Sequence, residues 1–166
     1  MIRPYRQEDA DALWELKQGF ELGLAEGTGD DAKATRYADK LDDQYRHSYL
    51  DWVDRCRTDE SRAIQVAERR DSVVGYVFVL PDTMAHIWDG AVLNELYVAP
   101  AIRGTGVGVE LLEAAVRTAR AQDLPLDRIL LDVDRANDRA RTFYDHHGFE
   151  HWGEMLARDL SAPEDI

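Results

Sequence analysis

Arg103, Gly104, Gly106 and Gly108 have the residue types and spacing to hold a phosphate. The glycines open onto Val107, Leu111, Leu112, Ala115 and Val116, whose spacing predicts a helix over 107–121. A helix that starts in a glycine loop turns free backbone N–H groups and the positive end of its dipole toward that loop. Missing Cβ atoms then let an anion approach the backbone, so the stretch through Thr105 suits a diphosphate. Three other readings compete. A P-loop needs Gly-Lys-Ser/Thr, and none of the 3 lysines is near. A dinucleotide fingerprint wants glycine where Val109 stands and a strand-helix unit with a suitable acid. A tight turn that binds nothing fits the glycines as well as a diphosphate site does.

The flanking elements must place this loop. Val92, Leu96 and Val98 fall on one face of an extended segment and Leu93 and Tyr97 on the other, which predicts a strand buried on both sides and ended by Pro100. A strand at 127–133 follows the helix, so the unit is a right-handed parallel crossover. Upstream, a short strand at 2–5 leads into a helix with Leu13, Leu16, Phe20 and Leu24 on its buried face. The sequence Gly27-Thr28-Gly29-Asp30 breaks that pattern, and a second helical stretch over about 31–57 carries Tyr37, Leu41, Tyr45, Tyr49 and Val53. Its tyrosines and Trp52 read as core before ligand stack, and Cys56 as an inert helix residue. Segments 61–68 and 73–80 predict an antiparallel hairpin, and His86 in the following connection reads as a surface residue. Asn137, Ala140 and Tyr144 share one face of a short helix ended by Gly148, and a last strand is expected over 152–159.

The 166 residues suit one domain, residues 1–166, with its core at about 2–159 and a polar tail at 160–166. The single Cys excludes an internal disulfide framework, and the Met-Ile-Arg-Pro start lacks the apolar run of a signal peptide, so a cytoplasmic protein is expected. No apolar run approaches the ~20 residues of a membrane helix. A net charge of -13 opposes binding to nucleic acid. The chain has 21 Asp, 12 Glu, 17 Arg and 3 Lys. That bias fits a protein of a salt-rich cytoplasm, whose self-repulsion salt would screen, and equally an ordinary acidic, arginine-rich protein.

Taken together, two motifs resemble those of the GCN5-related N-acetyltransferase (GNAT) family. Arg103-Gly-Thr-Gly106-Val-Gly108 resembles its acyl-CoA loop, Gln/Arg-x-x-Gly-x-Gly/Ala, and Leu96-Tyr97-Val98-x-Pro100 resembles the strand before it. Asn137, Ala140, Tyr144, Gly148 and Phe149 match the family's second motif, Asn-x-x-Ala-x-x-x-Tyr-x-x-x-Gly-Phe. The resemblance covers about 2–159 and is strongest from Ser61 to Phe149. It implies an α/β acyl-CoA N-acyltransferase fold: a mostly antiparallel central sheet with one splayed parallel pair, flanked by helices. It implies acetyl-CoA as co-substrate, its diphosphate over Arg103, Gly104, Thr105, Gly106, Val107 and Gly108. Backbone groups of Leu96, Tyr97 and Val98 would meet the pantetheine amides and polarise the thioester carbonyl. Asn137 would bind the pantetheine arm and Ala140 leave room for it, while Tyr144 would protonate the leaving thiolate. Asn137 also suits a plain N-cap, and Tyr144 a core aromatic. Glu95 and Asp132 are both open as the base that deprotonates the acceptor, as is a water chain.

The expected activity is acetyl transfer from acetyl-CoA to a primary amine, on a small molecule or a protein N-terminus, by direct attack in a ternary complex. No metal is required, and a homodimer is plausible within the family. The competing reading is a catalytically silent acyl-CoA-binding sensor or interaction protein on the same fold. The charge pattern carries its own prediction: if crowded carboxylates limit stability, Tm rises as NaCl goes from ~0.1 M to ~2 M, well past ordinary screening. A flat Tm over that range returns the chain to the ordinary acidic class.

Overall fold

The computed structural model describes residues 1–27 and 29–161, and their side chains except those of 25–27. Thr28 of the predicted break and 162–166 of the polar tail lie outside the described residues. Five strands form one sheet in the order β1-β2-β3-β4-β5: β1 Ile2–Pro4, β2 Ile64–Arg69, β3 Ser72–Val79, β4 Ala91–Val98 and β5 Ile129–Leu130. Neighbours pair antiparallel except β4 with β5, which are parallel and joined by helix α4, Val107–Ala121. Helices α1 Ala10–Gly27, α2 Asp31–Asp39 and α3 Asp43–Asp59 precede β2, and α5 Asp138–His146 follows β5.

Alternation along β3 builds two cores. Tyr76, Phe78 and Leu80 point to the layer of α1 and α3, where they meet Leu13, Trp14, Tyr49 and Val53. Val77 and Val79 point the other way, onto Val107, Leu111, Leu112 and Ala115 of α4. The hairpin between β2 and β3 turns through Arg70 and Asp71, both left-handed at φ 50° and 60°, as a twisted two-residue turn requires.

Four expectations need correction. The helical stretch over 31–57 is two helices, because the Asp42 carboxylate accepts from Tyr45 N at 2.8 Å and starts α3 afresh. In β4, Phe78 faces Glu95 while Val79 faces Leu93, so Asn94 is an inserted bulge residue. The insertion reverses the alternation: Leu93, Leu96 and Val98 share the α4 face, with Val92 and Tyr97 on the other. The strand expected at 127–133 is only Ile129–Leu130, since the chain then turns on Asp134, whose carboxylate accepts from Ala136 N at 2.9 Å. No strand forms over 152–159. Trp152, Met155 and Leu156 are exposed there, and the segment is tied down by ion pairs Arg135–Glu154 and Arg36–Asp159.

At the start of the chain, Arg3 donates two hydrogen bonds to the buried Asp9 carboxylate at 2.8 and 2.9 Å, and Asp9 also accepts from Arg6 N at 2.8 Å. Arg3 beside it is the main reason the Asp9 carboxyl titrates below its usual range, with the Arg6 bond adding to it against the opposing effect of burial. A lowered folded pKa stabilises above the unfolded value of ~3.9 and is lost as pH falls through the folded value. Asp9→Asn should therefore cost about 2 kcal/mol near neutrality. In denaturant titrations the gap to the parent should narrow below pH ~4.

Candidate functional site

The parallel pairing of β4 with β5 holds at Ala91↔Ile129 and Val92↔Leu130 only. Beyond that point the strands part, and a groove opens between the free edge of β4 and helix α5. Its wider end, about 430 Å³, is lined by Leu96, Tyr97, Val98, Arg103, Gly104, Gly106, Gly108 and Tyr144 among others. Its narrower end, about 90 Å³, reaches Phe20, Gly23 and Leu24 of α1 and is lined by Glu95, Asp132, Asn137, Ala140 and Tyr144 as well.

At the wide end Gly104 and Gly106 take φ of 79° and 91°, a backbone that L side chains rarely adopt, and the space beside each is open. Gly106 is the N-cap of α4 and has no side chain to satisfy the N–H groups of the first turn. The loop is braced from behind: Arg103 Nε donates to Val98 O at 3.0 Å, its guanidinium lies 5.3 Å from the Tyr97 ring, and Thr105 Oγ1 donates to Ile102 O at 2.6 Å. Val107 is packed into the core and Thr105 is exposed, and neither is among the residues that line the groove. The N–H groups of the first turn, at the positive end of α4, fit a diphosphate.

Asn137 is the N-cap of α5. Its side chain accepts from Ala140 N at 3.2 Å, capping α5, and it lines the narrow end. Tyr144 lines both ends, and burial pushes its phenol up to about 12, so the hydroxyl carries its proton at neutral pH. Asp132 is exposed at the rim of the narrow end.

Glu95 is differently placed. Its buried carboxylate accepts from Lys17 Nζ at 2.8 Å, Tyr49 Oη at 2.7 Å and Tyr76 Oη at 2.9 Å. Burial, and the neighbouring Glu95 charge after it, hold both phenols well above the ordinary tyrosine range. Burial opposes the charge on Lys17, but Glu95 and Glu21 together outweigh it, and the ammonium titrates above an ordinary lysine. Sequence reasoning missed this cluster. Its signal was Lys17 at helical spacing between Leu13 and Phe20, a charge on the stripe read as apolar.

Comparison with known proteins bears on family and fold. The sequence model of the acetyltransferase (GNAT) family matches residues 27–149. The chain is 32% identical over 115 residues to a mycothiol acetyltransferase of Thermobispora bispora, 68% of this chain and 36% of that one. It is 33% identical over 93 residues to a 5-NmdU N-acetyltransferase of Pseudomonas phage PaMx11, 56% of this chain and 61% of the relative. The chain thus spans between about a third and three fifths of the length of these curated relatives. Among solved structures, a ribosomal-protein-alanine N-acetyltransferase from Brucella melitensis superposes with a TM-score of 0.70 at 24% identity, covering 92% of this chain and 86% of its own. PaiA N-acetyltransferase from Thermoplasma acidophilum, in complex with coenzyme A, gives 0.69 at 20% identity, covering 90% and 89%.

Proposed function

The chain belongs to the acetyltransferase (GNAT) family, and we propose that it moves an acetyl group from acetyl-CoA to a primary amine by direct attack in a ternary complex. One observation carries this reading: β4 leaves β5 after two paired residues, and the groove so opened runs from an uncapped helix N-terminus to a protonated phenol. A CoA-shaped ligand has its anionic diphosphate at one end and its thioester at the other, and the groove offers matching chemistry in that order.

In this reading backbone N–H groups from Gly104 to Gly108 hold the diphosphate. Extended backbone at Leu96, Tyr97 and Val98 pairs with the pantetheine amides and polarises the thioester carbonyl, as oxyanion donors do. Asn137 steadies the arm, and Ala140 leaves it space. The acceptor enters from the α1 side and loses a proton before its nitrogen attacks the carbonyl carbon. Asp132, open to solvent at the rim, takes that proton directly or through water; the Glu95 carboxylate is already engaged by Lys17, Tyr49, Tyr76 and Asn94. Collapse of the tetrahedral adduct breaks the C–S bond, Tyr144 gives its proton to the departing thiolate, and the second proton leaving the nitrogen returns through water to the phenolate.

Gly106→Glu should abolish acetyl-CoA binding in calorimetry while the far-UV spectrum is kept, since the new carboxylate would occupy the diphosphate position. Unchanged affinity would remove the loop from the site. Tyr144→Phe keeps the ring and deletes the hydroxyl, so kcat should fall by ~10² with little change in acetyl-CoA KM. If the phenylalanine variant turns over like the parent, water protonates the thiolate. If neither protein releases thiol with any amine yet both bind acetyl-CoA, the chain is a silent acyl-CoA binder.

A further inference from the structure

Lys17 is 3% exposed on α1, and its ammonium is held 2.5 Å from Glu21 Oε1 and 2.8 Å from Glu95 Oε2. The rings of Tyr49 and Phe20 lie beside it, 4.8 and 5.1 Å from Nζ to their centroids. The contact to Glu95 spans 78 positions of sequence and joins α1 to β4 at the residue that follows the bulge. A second feature registers the same two elements. Gly19, half a turn on, lies so near the Tyr97 ring of β4 that any Cβ there would collide with it. One to two turns beyond Lys17, α1 supplies Phe20, Gly23 and Leu24 to the narrow end of the groove, opposite the Asp132 rim.

We propose that Lys17 is a positioning residue for the amine acceptor: by clamping Glu95 it sets the spacing between the α1 wall and β4, and it withdraws Glu95 from proton transfer. The proposal rests on the acetyl-transfer reading above and adds to it a residue that no motif marks. Its physical basis is the cost of buried charge. Without the ammonium, Glu21 and Glu95 would face each other as buried carboxylates. Lys40, 2.8 Å from the far Glu21 oxygen but not aligned for a hydrogen bond, stands on the outer side and cannot replace it. Water entry or protonation would then shift α1 off β4, and the acceptor wall with it. The glycine loop lies at the other end of the groove and would be untouched.

The test compares Lys17→Met, Glu95→Gln and the double variant, with n-butylamine as acceptor probe. Lys17→Met should raise the n-butylamine KM by about tenfold or more, while the calorimetric Kd for acetyl-CoA stays within about twofold. Removing Lys17 and Glu95 together should recover part of the loss, since it ends the facing of two buried carboxylates and leaves Glu21 alone beside Lys40. The acidic limb of kcat/KM against pH should be the same in the double variant as in the parent. Amide exchange at Phe20 to Leu24, measured without acceptor, should quicken in Lys17→Met and slow again in the double variant. The proposal is overturned if Lys17→Met moves neither the amine KM nor that exchange, or if Glu95→Gln alone abolishes turnover and the acidic limb together, which would make Glu95 the base. Should Lys17→Met fail to fold, the limb of the double variant decides: kept, it supports the clamp; lost, it refutes it. Absence of acetyl-CoA binding by the parent would instead overturn the acetyl-transfer reading, and the exchange comparison would still report on the clamp.

Discussion

The structure turns on a conflict at one strand. Backbone N–H and C=O groups need partners, and a strand in the middle of a sheet normally finds them on both sides. β4 is paired along its length with β3 but with β5 at Ala91 and Val92 only. From Leu93 to Val98 its other edge faces a groove. An edge of this kind invites an extended chain with amide groups of its own, and the features around it specify which chain: donors for an anion at the α4 end, and a phenol that keeps its proton and lines both ends.

The bulge at Asn94 decides what each face of that strand can do. Without the bulge, in a strand that alternates regularly through Asn94, Glu95 would share a face with Leu93 on the α4 core, an apolar setting for a carboxylate. With it, Glu95 turns to the α1 and α3 layer, where Tyr49, Tyr76 and Lys17 converge on its oxygens. Leu96 and Val98 are sent to the α4 side instead. The bulge thus lets a buried polar cluster and the groove edge be built on the same eight residues of strand, with Glu95 shared between them.

Much of this was legible in the sequence because the signals were local. The glycine loop and α4 are read from consecutive residues, and α4 spans Val107–Ala121, the range expected for it. The hairpin and α5 follow from turn chemistry and a cap within a few positions. What failed depended on partners distant in sequence. The alternation of β4 cannot reveal a bulge that exists only in its register with β3. The segment expected as a strand at 152–159 is none without an edge to pair with, and β5 is two residues long. Asp42 was a readable stop inside the long helical pattern, masked by tyrosines at continuous helical spacing. Glu95 was found as a polar residue of the strand, but beside the adjacent Asn94 amide its donors come from α1, α3 and β3, positions that only the fold brings together.

The central claim, that the β4–β5 wedge is the acyl-CoA site, is tested most directly by backbone amide exchange with and without saturating CoA. The account predicts slowed exchange at Leu96 to Val98 and in the first turn of α4, with α3 unchanged. Protection confined to other elements, or none at either place under saturating CoA, would contradict it.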